Sequence, residues 1–126
     1  MKQICCILLA AFVLLGLVAG CTSSMPTYTD PATVIEISSG GQFTIVLDAN
    51  ATTGYSWEES FDKNYIKLVN KEYKVNESKS GMVGVPGKQY FVFQGLKQGS
   101  TRISIIYKRP FESTIADQKE FSVNIK

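Results

Sequence analysis

The groups that could make or break a covalent bond are few in this chain, and their placement excludes most catalytic chemistry. Histidine is absent from all 126 residues, and the three cysteines, Cys5, Cys6 and Cys21, all lie near the amino end. Without an imidazole there is no Ser-His-Asp or Cys-His relay, and the body of the chain lacks the usual zinc and transition-metal ligands. Carboxylates are what remains. Glu58 and Glu59 are the nearest pair, but neighbours on a strand point to opposite faces and cannot flank one scissile bond as paired acids must. No metal, no cofactor and no enzymatic activity are expected.

Cys21 offers a different chemistry. It ends "MKQICCILLAAFVLLGLVAGC", in which one early lysine precedes an apolar run and then small residues. That is the pattern of a secretory leader, too short and wrongly flanked for a stable membrane span. The closing "LVAGC" resembles the bacterial lipobox, whose cysteine sulfur receives a diacylglycerol and becomes the mature first residue. The reading is a lipoprotein signal peptide over 1–20, lipidation at Cys21, and a polar, proline-marked flexible tether over 21–32. The domain is expected outside the cytoplasm, exported and anchored to the cell membrane or outer membrane through the lipid. Each buried methylene contributes about 0.8 kcal/mol to such an anchor. Cys5 and Cys6 leave with the leader, so the domain has no disulfide and depends on its apolar core.

Loss of Lys2 leaves twelve basic against eleven acidic residues. No basic field exists for nucleic acid to recognise.

Three further segments are richer than a simple turn requires: "NATTGY" at 50–55, "SGMVGVPG" at 80–87 and "KRPFES" at 108–113. They interrupt runs that alternate with period two. Phe43, Ile45 and Leu47 share one face of "GQFTIVLDA". Ile35 and Ile37 do so in "TVIEIS", Phe91 and Phe93 in "YFVFQ", Ile103, Ile105 and Tyr107 in "TRISIIYK", and Phe121, Val123 and Ile125 in "KEFSVNIK". Trp57 reads as a core ring, with Phe61, Tyr65, Ile66 and Leu68 continuing the packed layer before "YKVNESKS" leaves it as a polar segment. About seven such strands at this spacing predict an all-β, immunoglobulin-like antiparallel sandwich over 33–126 with little or no helix. In such a sandwich the second-to-third, fourth-to-fifth and sixth-to-seventh connections can gather at one end and form a binding edge.

Taken in order, these three segments resemble the chagasin family of inhibitors of papain-like cysteine peptidases. The family's first loop, Asn-Pro-Thr-Thr-Gly-Tyr, is matched by Asn50, Ala51, Thr52, Thr53, Gly54 and Tyr55, with Trp57 two residues later as usual. The middle loop is matched by Met82, Val83, Gly84, Val85, Pro86 and Gly87, and the third by Arg109, Pro110 and Phe111. Two positions depart: Ala51 stands for the usual proline, and Pro86 stiffens a stretch that is usually glycine-rich. The resemblance implies a reversible, non-covalent inhibitor, expected to act as a monomer, that fills a papain-like active-site cleft with three loops. Thr52, Thr53 and Gly54 would lie over the catalytic cysteine, and Thr52 and Thr53 would supply hydroxyl and backbone hydrogen bonds. Val83, ahead of Met82, would enter the hydrophobic S2 pocket. Phe111 would stack on an enzyme aromatic, with Arg109 pairing an acid or covering a ring and Pro110 stiffening the loop. Asn50, Tyr55 and Gly84 complete the expected contact set. The alternative from another class is an adhesion or assembly module of the cell envelope that uses the same loops or an exposed strand edge.

Overall fold

The computed structural model describes residues 24–77 and 83–126. Its strands are β1 (Thr27–Tyr28), β2 (Ile35–Ile37), β3 (Gln42–Ala49), β4 (Ser56–Phe61), β5 (Ile66–Val75), β6 (Gly87–Gly95), β7 (Gly99–Lys108) and β8 (Asp117–Ile125), with one 3-10 turn at Ala51–Thr53. They form two four-stranded sheets, ordered β1-β3-β6-β5 and β2-β8-β7-β4. The alternating residues named above supply the core. Phe43, Ile45, Phe91 and Phe93 of one sheet face Ile103, Ile105, Phe121 and Val123 of the other, and all are buried. Phe43 and Phe93 stack at 5.7 Å, and Phe61 meets Phe93 edge-on at 5.4 Å across the layer. Each such side chain contributes about 1.5–3 kcal/mol on burial, and the described residues contain no cysteine that could add a crosslink.

The architecture is the expected immunoglobulin-like sandwich, with three local differences. There are eight strands, because Thr27 and Tyr28, inside the stretch read as a tether, pair with Thr44 and Ile45 of β3. That pairing and the one between β2 and β8 are parallel, so the sandwich is not wholly antiparallel. Finally, β5 does not leave the sheet at Tyr73. It continues to Val75 opposite Gly87, after a bulge between Leu68 and Asn70. Its polar composition suits an outer strand, where Lys67, Lys71 and Lys74 discourage further pairing. Lys71 also reaches Glu59 of β4 at 2.8 Å, bridging the two sheets at their open side.

β3, β5 and β7 all end at the same pole, and β4, β6 and β8 begin there. The connections 50–55 and 109–116 and the described parts of the middle one, 76–77 and 83–86, are therefore neighbours in space.

Candidate functional site

The first loop is a closed unit. Asn50, extended at φ −132° and ψ 95°, caps the 3-10 turn by accepting the Thr52 N–H at its side-chain oxygen. The Thr52 hydroxyl donates to the same oxygen at 2.6 Å, and the Thr53 hydroxyl donates to the Asn50 carbonyl at 2.6 Å. Gly54 ends the turn at φ 81°, a left-handed conformation that favours glycine, and its N–H donates to the Ala51 carbonyl. Both threonine hydroxyl protons are thus used inside the loop. What remains for a partner is chiefly their oxygen lone pairs and methyl groups, so a hydroxyl hydrogen bond to a partner would be one the threonines accept.

Two phenols hold this loop from beneath. The N–H of Asn50 donates to Tyr107 Oη at 3.0 Å, and the N–H of Ala51 donates to Tyr73 Oη at 3.3 Å. Tyr107 stands in a short aromatic column, 4.7 Å from Trp57 and 5.3 Å from Tyr55. Trp57 is itself fixed by donating Nε1–H to the Asp48 carbonyl at 2.9 Å. Tyr73 leans over Gly87, where a β-carbon would come 2.7 Å from its ring and would collide with the Lys74 carbonyl oxygen. Gly87 therefore leaves the space that lets a phenol on the outer strand reach the first loop.

The other loops are tied to the first. The Asn50 amide donates to the Gly84 carbonyl at 3.3 Å, and Gly84 turns the chain at φ 72°. From the third loop, Arg109 Nε donates to the Thr53 carbonyl at 3.2 Å, and its guanidinium lies 4.6 Å from the centre of the Tyr55 ring. Its Nη1 pairs with Glu112 at 3.2 Å. Arg109 is thus an internal brace between two loops, a use of its charge that the sequence alone does not reveal.

Apolar side chains project on both sides of this braced centre. Val83 is 94% exposed, and Phe111 is fully exposed. Thr52, Thr53 and Gly54 are exposed between them, as are Gly84, Arg109 and Pro110, whereas Asn50 and Tyr55 are half-buried. Met82 and Cys21 lie outside the described residues. The supporting residues that sequence reasoning missed are Tyr73, Tyr107 and Glu112. Their signal is faint: a tyrosine beside a loop, with a ring that packs and a tip that needs a polar partner.

The arrangement offers a preformed edge on which a partner can bind. Among the described residues no cluster of acids could hold a metal, and the first loop presents small atoms from a backbone already committed to its own hydrogen bonds.

A family model, the chagasin family peptidase inhibitor I42, matches residues 36–125. Amoebiasin-1 of Entamoeba histolytica is 30% identical over 93 residues, covering 74% of this chain and 88% of that protein. The crystal structure of the cysteine protease inhibitor EhICP2, also from Entamoeba histolytica, is similar at a TM-score of 0.71 and 28% identity, covering 81% of this chain and 96% of the other. PbICP-C, solved in complex with falcipain-2, shares the fold at a TM-score of 0.57 and 22% identity, covering 82% of this chain and 91% of that one.

Proposed function

The chain belongs to the chagasin family of peptidase inhibitors, and on that premise we propose how it blocks its target: three braced loops fill the cleft of a papain-like cysteine peptidase. It is a cysteine peptidase inhibitor and not an enzyme.

The observation that carries the mechanism is the cross-tying of the loops. Asn50 holds Gly84, and Arg109 holds Thr53, so the three segments form one preorganised edge. Little ordering entropy is then lost on binding. Thr52, Thr53 and Gly54 enter the narrow centre of the cleft above the catalytic cysteine. A substrate must present an extended backbone with its carbonyl in line with the thiolate. This loop is instead a 3-10 turn whose N–H groups are already bonded internally, so it occupies the site without adopting a cleavable geometry. Val83 enters the hydrophobic S2 pocket. On the other side Phe111 stacks on an enzyme aromatic, while Arg109 holds the third loop against Tyr55. Binding is reversible and forms no covalent bond.

Steady-state inhibition of papain by the domain from Ser24 onward tests this reading. Competitive inhibition with recovery of uncut inhibitor is expected. Inhibition that is non-competitive, or cleavage within 50–55, would overturn the cleft-filling mechanism.

We also propose that Cys21 carries the lipid that anchors the protein to a membrane after export, on the strength of the "LVAGC" motif and the preceding apolar run. Cys21→Ser should then leave an unprocessed precursor without lipid label; normal maturation of that variant would refute the anchor.

A further inference from the structure

The direction of the strands fixes where the amino end leaves the sandwich. β3 rises from Gln42 to Ala49, beneath the first loop, and β1 runs parallel to it. The chain therefore arrives from the pole opposite the three loops. There Ser24, Met25 and Pro26 line a shallow cleft with Ile37, Ser38 and Gly41. The Thr44 N–H donates to the Pro26 carbonyl at 2.9 Å, which ties this entry point to β3. Strands of eight to ten residues, at a rise of about 3.3 Å per residue, place the loops roughly 30 Å from that pole.

The same pole has a chemistry of its own. Its turns carry Lys63 and Lys97, and Lys67 stands at the start of β5. None of the ion pairs among the described residues involves these three lysines. Lys63 and Lys67 border an open apolar hollow formed by Phe61, Ile66, Leu68 and Leu96, and Leu96 is 44% exposed. Three lysines stand there against one unpaired acid among the described residues: Asp62, whose carboxylate accepts the Asn64 N–H at 2.9 Å, keeps its charge beside Lys63, while Glu36 is paired with Lys126 at 3.2 Å and Lys97 lies 4.8 Å from the centre of the Tyr65 ring.

We infer that this pole is a membrane-facing surface whose partner is an anionic bilayer, so that the inhibitory loops are presented away from the membrane. The inference rests on the proposed lipid at Cys21. Only Thr22 and Ser23 separate that residue from Ser24, and three residue steps span at most about 10 Å. That is close to the screening length of ~8 Å at physiological ionic strength. A domain held on so short a lead keeps Lys63, Lys67 and Lys97 within range of lipid phosphates, while Leu96 and Met25 can enter the headgroup layer. The twelve-residue tether expected from sequence would have allowed the domain to tumble freely. Pairing from Thr27 onward shortens it and gives it a direction.

The test uses the full-length, lipidated protein in phosphatidylcholine vesicles with and without phosphatidylglycerol. A fluorophore is placed at Gln98→Cys on the proposed contact pole or at Ser113→Cys in the third loop, and a headgroup-borne quencher reports proximity. Quenching should be severalfold stronger at position 98 than at 113 when phosphatidylglycerol is present. The difference should shrink at high salt and in a Lys63→Gln, Lys67→Gln, Lys97→Gln variant, which should inhibit papain as the parent does. Equal quenching at both positions, or quenching at 98 that ignores lipid charge and salt, overturns the inference. The mass of the amino-terminal peptide reports the lipid separately. Its absence removes the anchor and this inference together, whereas papain inhibition tests the loop mechanism independently of both.

Discussion

Removing the Tyr73 hydroxyl, by Tyr73→Phe, should weaken inhibition without unfolding the protein, and the loss should vanish when Ala51 is also changed to proline. Tyr73 Oη accepts the Ala51 N–H at 3.3 Å, a long neutral bond that belongs at the low end of the usual net range, about 0.5–1 kcal/mol. That corresponds to a roughly two- to five-fold weaker inhibition constant. The ring still fills the space above Gly87, so the melting temperature should hold. Ala51→Pro removes the same N–H but presets φ at the first position of a 3-10 turn, where proline is favoured. Asn50 before it is already extended at φ −132° and ψ 95°, as a residue preceding proline must be. Preorganisation worth about 0.4–1 kcal/mol then offsets the lost bond, and Ala51→Pro alone should change inhibition less than about three-fold. Inhibition constants for the parent, both single variants and the double variant against papain form the cycle. An equal penalty for Tyr73→Phe in both backgrounds would refute the claim that the phenol acts through this N–H, and so would no penalty in the parent.

Val83→Asp should cost several kcal/mol of affinity by burying an unpaired charge in an apolar pocket, and Phe111→Ala about 1–3 kcal/mol. Both side chains are exposed in the free protein, so calorimetric melting should be unchanged while peptidase inhibition weakens. Arg109→Ala releases the Thr53 carbonyl and the Tyr55 ring and should cost about 1–2 kcal/mol of binding; Arg109→Lys should restore little, because an ammonium cannot both stack and donate along the same fork. Gly87→Ala, whose β-carbon would meet the Lys74 carbonyl, should lose about 1–3 kcal/mol of stability, read as a melting temperature lower by roughly 4–8 °C per kcal/mol.

The core was legible because burial on one face of a strand writes itself as alternation: Phe43, Ile45, Phe91, Phe93, Ile103, Ile105, Phe121 and Val123 all read correctly, and all are buried. The outer elements were harder to read. Thr27 and Tyr28 make a two-residue strand whose pairing depends on where Pro26 meets Thr44, and no local pattern announces that. Tyr73–Val75 looked like a departing loop because an outer strand can be polar and still keep its ladder on one side. The three loop motifs stood out by composition, and their convergence follows from strand order. The internal use of Asn50, Arg109 and the two threonine hydroxyls did not stand out, because each depends on atoms brought together only by folding. Arg109 and Thr53 are 56 residues apart in sequence.

On the proposed mechanism these loops occupy the catalytic cleft by shape and hydrogen bonding, with no chemistry at the thiol. The direct measurement is the dissociation constant of the domain for a papain-like peptidase in three forms: active, with the catalytic cysteine changed to alanine, and with the cleft filled by a covalent peptidyl inhibitor. Tight binding to the active and alanine forms is expected, within a few-fold of each other, and no measurable binding to the filled form. Undiminished binding to the peptidase whose cleft is already filled would contradict it.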